Sequence, residues 1–391
     1  MKLAFIADAH LGFMQYGIER RKRDFERVFQ ETIRDILSNG ISTMICAGDI
    51  LESNRPDPAS VLCLQQLNDY LIQGTAVMYV TSGNHELTRP HWIEVLNNSH
   101  PNFGFKLLDY KTVEPYPDNP TQGAIKIHGI PYMSREEILK YPFPDADILV
   151  GHMDVQEISG APKDLVIQAI ELPLKYRLIV VGHIHARKTV MHPGNPGCAI
   201  ISPGSTELHS ESEDENKFWL EYDTESNVLT EHLITTTRKV LRVDLIPFQH
   251  QENAIESKIS GLQWDINHSP KCLEPGREPM IFVRYPMSMA EVIPKFRAAF
   301  DPDKYVLRFR PIGSEAVGAA VTPDQETSAE MSVRDILTTM IPVDSDLFPL
   351  AEKLIDPETD ATQLIERFLE QRLQAIQAKS SSVVIPASEA S

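Results

Sequence analysis

Long apolar runs are missing from this chain of 391 residues. None approaches the roughly 18 residues that cross a bilayer, so no membrane helix is expected. Cysteine is scarce. Cys46, Cys63, Cys198 and Cys272 lie far apart and share no metal-ligand spacing. That excludes a disulfide framework and a cysteine-based metal knuckle, and fits reduced thiols in a cytoplasmic setting. Basic charge is also short: 37 Lys and Arg stand against 55 Asp and Glu, for a net charge of −18. Such a balance argues against unaided, non-specific binding of a polyanion. Internal repeats are absent. The opening run Met1–Ala7 stops at Asp8; it is too short for a signal peptide and reads as a buried first strand.

What is there is ordinary globular stock, 42% hydrophobic, long enough for two or three domains. Leu3–Ala7, Thr43–Ala47, Ala76–Val80, Ile125–Gly129, Asp147–Gly151 and Leu178–Gly182 are continuous apolar or β-branched runs. Runs of that kind suit strands buried on both faces. Phe25, Val28, Phe29, Ile33, Ile36 and Leu37 fall at helical spacing and stop at Ser38-Asn39-Gly40. Leu62, Leu64, Leu67 and Leu71 predict a second helix ending near Gly74. The expectation for residues 1–235 is a layered α/β domain. Residues 236–313 read as a small β-α-β-α-β unit. Residues 314–330 are rich in Gly, Ala, Ser and Thr and read as a linker. Apolar stripes predict short helices over 331–378, and 379–391 read as a disordered tail.

The informative feature is where the polar residues fall. Five β-like runs end in residues that can hold metals: Asp8-Ala9-His10, Gly48-Asp49, Gly83-Asn84-His85-Glu86, Gly151-His152, and Gly182-His183-Ile184-His185. Sites in open α/β sheets form beyond the carboxyl ends of strands. Asp and His suit Mn²⁺, Fe²⁺, Zn²⁺ or Mg²⁺. Two such ions about 3.5–4 Å apart can clamp the attacking and leaving oxygens of an in-line displacement at phosphorus. One Gly-Asp or Gly-His carries no information; a lone histidine is more often a satisfied core residue. Five clusters in this order, each at a strand end, are specific. His91, His128, His192 and His209 lack that placement and are expected to be ordinary.

This order of motifs resembles the calcineurin-like metallophosphoesterases and, within them, the Mre11/SbcD nucleases. Asp8-Ala9-His10-Leu11-Gly12, Gly48-Asp49-Ile50-Leu51 with Ser53 and Arg55-Pro56, and Ser202-Pro203-Gly204-Ser205-Thr206-Glu207 carry the likeness. It is specific over about residues 1–210 and architectural beyond. The resemblance implies a four-layer α-β-β-α sandwich with a small α+β capping domain and C-terminal helices. It implies two divalent ions, Mn²⁺ with Mg²⁺ as the alternative. Asp8, His10, Asp49 and His185 would hold the first, and Asp49, Asn84, His152 and His183 the second, with Asp49 bridging. His85 would meet the phosphate and serve the leaving oxygen. The implied partners are DNA, a Rad50/SbcC-like ATPase bound through the C-terminal helices, and a second copy of the chain packed through the first two helices. The implied place is the cytoplasm or the nucleoid, without a membrane, and the implied role is double-strand break processing.

One position departs from the family. Nuclease relatives carry His three residues after the Gly-Asp aspartate, where this chain has Glu52. A carboxylate facing a phosphodiester would repel it; a surface glutamate pointing away would not matter. The basic run Arg20-Arg21-Lys22-Arg23 is either a solvated face or a contact for DNA phosphates. Two other functions compete: a general metallophosphatase or cyclic-nucleotide phosphodiesterase, and a non-catalytic scaffold of a DNA repair complex. The capping unit and tethered helices speak against the first, and the complete ligand set against the second.

Overall fold

The computed structural model describes residues 1–312, except 88–89, 100–101, 116–123, 164, 249–250, 252, 273–275 and 290. The linker, helices and tail expected beyond residue 313 lie outside the described residues. The first sheet is seeded by apolar runs that pair in parallel: β1 (Lys2–Ile6), β2 (Thr43–Cys46), β3 (Val77–Val80) and β4 (Phe105–Leu107). Side chains alternate across β1, and both faces are buried. Ala4 and Ile6 face the helices α1 (Glu19–Ser38), α2 (Pro58–Gln73) and α3 (Trp92–Ser99). Leu3 and Phe5 face the other way, into the interior. Helix α2 starts where Asp57 accepts from the Ala59 and Ser60 amides, with Pro58 at the first helical position.

The second sheet holds β5 (Lys111–Val113), β6 (Ile127–Ile130), β7 (Ile148–His152), β8 (Leu178–Gly182), β9 (Lys188–His192) and β10 (Asn195–Ser202). Its order is β5-β6-β7-β8-β10-β9, with antiparallel strands only at the two edges. Ile127, Ile148, Val150, Leu178, Val180 and Ile201 meet Leu3, Phe5 and Ile45 of the first sheet. Each such side chain contributes about 1.5–3 kcal/mol by leaving water. The outer face is covered by α4 (Arg135–Lys140), α5 (Gln156–Ser159) and buried residues such as Tyr176. The result is the expected four-layer α-β-β-α sandwich.

An antiparallel hairpin, β11 (Phe218–Asp223) and β12 (Val228–Leu233), extends the first sheet on the open side of β1. From there the chain builds a parallel three-stranded sheet, β13 (Val240–Asp244), β14 (Met280–Pro286) and β15 (Val306–Ile312). Helices α6 (Ala254–His268) and α7 (Val292–Ala299) cover it. This part has its own core, including Leu245, Val283, Val292 and Phe296, and shares one compact unit, Met1–Ser314, with the sandwich. Asp24 of α1 joins the two parts by accepting from Arg238 at 2.5 Å. Among the described residues no helix is long and apolar enough to cross a membrane. All four cysteines are free and buried.

Candidate metal centre

The pairing of β1 with β2 continues past the strand ends, through the very loops that carry the polar motifs. The Asp8 amide donates to Gly48 O at 3.1 Å, His10 to Asp49 O at 2.9 Å, and Glu52 to Leu11 O at 3.0 Å. Asp8, His10, Asp49 and His183 all have positive φ, at 52°, 45°, 49° and 88°. Non-glycine residues adopt that region at a cost, and such strain collects at functional sites. The glycines explain the tight approach. A Cβ on Gly83 would lie 1.9 Å from Asp49 Oδ1, and one on Gly48 would lie 2.2 Å from His152 Nδ1. Glu86, fully buried, accepts from the Ile50, Leu51 and Gly83 amides and so ties the second loop to the third. Burial and the charge of Asp49 push its carboxyl up to about 8.

The side chains of all five clusters converge. Asp8, Asp49 and His152 form one group that could hold a metal, and His10 joins two more, with Glu52 and His85 and with His185 and His209. His152 Nε2 lies 3.1 Å from Asp49 Oδ2 and 3.0 Å from Asn84 Oδ1, which is also 3.1 Å from His183 Nδ1. Asp8 accepts from the His183 amide at 3.0 Å. The tautomers follow from the partners. His152 Nδ1 donates to Ala47 O at 2.9 Å and His85 Nδ1 to Glu52 O at 3.0 Å, because a carbonyl can only accept. On His152 that turns Nε2 toward Asp49 Oδ2 and Asn84 Oδ1. His10 Nε2 is buried and has no hydrogen-bond partner. Burial lowers the His152 pKa, but the bond and charge of Asp49 outweigh it and raise the group to about 9. Burial would raise Asp49, yet His152, His10 and His85 bring it down to about 2. Acceptor atoms crowded in this way, beside an orphaned imidazole nitrogen, fit divalent cations.

Three features depart from the sequence reading. Glu52 neither points away nor stands alone: its Oε2 lies 2.8 Å from His10 Nδ1 and 3.5 Å from His85 Nδ1. His209 is not ordinary. Its ring centroid is 4.3 Å from His10 and 4.1 Å from His185, and burial, then the neighbouring His10 and His185, hold it well below the usual histidine range. The bridge from Ala7 to Ser205 carries the Ser202–Glu207 run to the end of β1 and places His209 there. Glu213, also unanticipated, sits 3.2 Å from His185 Nδ1 and 2.7 Å from Lys217 Nζ. Burial would raise Glu213, but His185 and Lys217 lower it to about 2.

The basic run needs correction. Arg21 is fully buried, bonded to Gln15, Asp24, Glu207 and the Leu208 carbonyl; it faces the protein interior and cannot reach DNA. Arg20 donates to the carbonyls of Pro302, Asp303 and Tyr305. Lys22 pairs with Asp57 at 2.7 Å. Of the four, only Arg23 is well exposed, 3.8 Å from Glu19. One face of α1 turns inward, which a run of four consecutive charges conceals.

Residues 1–187, just under half of the chain, match the family model of the calcineurin-like phosphoesterases. Within it the chain is similar to the DNA double-strand break repair protein Mre11. It is 27% identical to that of Methanococcus maripaludis over 234 residues, 54% of this chain and 59% of the relative. It is 29% identical to that of Methanocaldococcus jannaschii over 230 residues, 56% and 60% of the two chains. The chain spans about half the length of the curated relatives it matches. A dimetal phosphatase from Danio rerio is 11% identical, with a TM-score of 0.41, over 60% of this chain and 95% of its own.

Proposed function

We propose that this chain is a two-metal phosphodiesterase that cuts DNA, the nuclease subunit of a complex that processes double-strand breaks. The observation that carries the reading is the convergence of Asp8, His10, Asp49, Asn84, His152, His183 and His185 at five strand ends, with His10 Nε2 buried and unpartnered. The likeness to archaeal Mre11 proteins supports DNA as the substrate. Two divalent ions, with Mn²⁺ the expected pair, would supply Lewis acidity at phosphorus and activate the attacking water. Asp8, His10, Asp49 and His185 would hold one, and Asp49, Asn84, His152 and His183 the other.

His85 supplies the proton chemistry. Its Nδ1–H is held by Glu52 O and its side chain is 37% exposed, so Nε2 is free to meet a phosphate and, in the imidazolium form, to give its proton to the leaving oxygen. Asn84 Oδ1 lies 3.0 Å from His152 Nε2 and 3.1 Å from His183 Nδ1, which places the three as ligands of one ion on this reading. DNA phosphates would find positive charge away from the acidic bulk of the chain. A cleft of about 770 Å³ between α1 and the small unit is lined by cations of which Arg23 and Lys304 are exposed, while Arg20, Arg27, Arg238 and Arg277 are already engaged by carbonyls or carboxylates. On this reading residues 236–313 cap the substrate, and the helices expected over 331–378 dock on a Rad50/SbcC-like ATPase. The chain pairs with a second copy through α1 and α2, where Leu62 and Ile72 are exposed.

Plasmid and duplex-oligonucleotide cleavage with Mn²⁺, run beside bis-p-nitrophenyl phosphate, tests the proposal. DNA cleavage is the expected result. Hydrolysis of the small ester alone would point instead to a general phosphodiesterase, and bound metal with neither activity to a scaffold.

A further inference from the structure

Both histidines assigned to the first metal place their outer nitrogen on a carboxylate. His10 Nδ1 is 2.8 Å from Glu52 Oε2, and His185 Nδ1 is 3.2 Å from Glu213 Oε1. A carboxylate oxygen accepts, so each Nδ1 carries the hydrogen and each Nε2 keeps its lone pair. On His10 that Nε2 is the buried, unpartnered atom, 3.7 Å from Asp49 Oδ2. His152, assigned to the second metal, differs: its outer nitrogen donates to the Ala47 carbonyl at 2.9 Å, with the Asp8 carboxylate farther off at 3.8 Å. The two glutamates are themselves held. The Glu52 amide donates to Leu11 O at 3.0 Å. Glu213 Oε2 takes the Lys217 ammonium at 2.7 Å and the His209 amide at 3.1 Å.

We propose that Glu52 and Glu213 are positioning residues for the first metal, a pair of outer carboxylates that fix which nitrogen of His10 and His185 faces the ion and strengthen both as ligands. The inference rests on the two-metal reading above. An outer carboxylate orients a ligating imidazole and raises its basicity. The first site is therefore the tighter of the two. Glu52 is then not a misplaced phosphate contact: its carboxylate is engaged with His10, on the side of the ring away from Nε2.

The test is a Mn²⁺ titration of the full chain, stripped of metal beforehand, with free Mn²⁺ read by electron paramagnetic resonance. Wild type is expected to fill two sites. Glu52→Ala and Glu213→Ala should each weaken the tighter site about 10- to 100-fold and leave the other unchanged. Glu52→Gln keeps an oxygen that accepts from His10 Nδ1 and should restore most of the affinity. Circular dichroism in chelator checks the fold; if Glu213→Ala melts early, Glu52→Ala and Glu52→Gln decide. Two sites of wild-type affinity in Glu52→Ala, an equal loss at both sites, or no rescue by Gln would overturn the inference and leave the two-metal reading standing. A wild type that takes up no Mn²⁺ would sink that reading itself.

Discussion

At the centre Gly83 packs directly against Asp49. A methyl group on Gly83 would lie 1.9 Å from Asp49 Oδ1 and 2.5 Å from the Asp49 amide nitrogen. Backbone must move to relieve that, and Asp49 is the residue proposed to bridge the metals. Gly83→Ala is therefore expected to lose Mn²⁺ uptake while remaining folded; uptake of two ions by that variant would contradict the assigned role of Asp49. At this scale the sequence is legible where chemistry coincides with a strand end. Asp8, Asp49, His152 and His183 could be picked out because a buried strand delivers each to one edge. Glu213 and His209 could not, since a bridge between the first strand and a distant loop brings them in. The direction of Glu52 was equally hidden: it depends on β1 and β2 staying paired beyond their ends.

Helix α1 links the sandwich to the small unit through charge. Asp24, buried, accepts from Arg21 at 2.8 Å, Arg27 at 3.2 Å and Arg238 at 2.5 Å. Removing it breaks the buried pairs with Arg21 and Arg238, which keep only Glu207 and Glu278 as carboxylate partners, and breaking a buried pair costs about 3–5 kcal/mol. Asp24→Ala should unfold at clearly lower denaturant concentration than wild type, and an unchanged midpoint would mean the network carries little stability. The exposed cations of the cleft have the opposite character. Arg23→Glu combined with Lys304→Glu should weaken duplex binding and flatten its salt dependence by about 0.9 per lost phosphate contact, with no effect on folding. Identical binding isotherms would remove DNA from this cleft. The double-buried strands β1, β2, β7 and β8 were readable as apolar runs, as was the half-buried β3. Strands β9 and β12 were not, because they lie at sheet edges with mostly exposed side chains that carry no apolar signature.

For the whole molecule, the apolar runs made a layered α/β domain legible, and the four-layer order followed from the resemblance to the metallophosphoesterases. The small unit showed as a change in composition after residue 235. Its dependence on α1 did not, since Arg238 and Arg277 meet Asp24 and Glu31 from far along the chain. Metal should stabilise the fold as a whole. An ion at 100 times its dissociation constant adds about 2.7 kcal/mol, so Mn²⁺ is expected to raise the melting temperature by several degrees and a chelator to reverse the shift. A melting curve indifferent to both would speak against a resident ion.

The central claim is that seven side chains hold two metals and that His85 beside them serves the reaction. Bound Mn²⁺ and duplex DNA cleavage, measured together on wild type and His85→Gln, test it most directly. The account predicts two ions per chain in both proteins and cleavage that falls by about 10²- to 10⁴-fold in the variant. Fewer than two ions in wild type, or undiminished cleavage by His85→Gln, would contradict it.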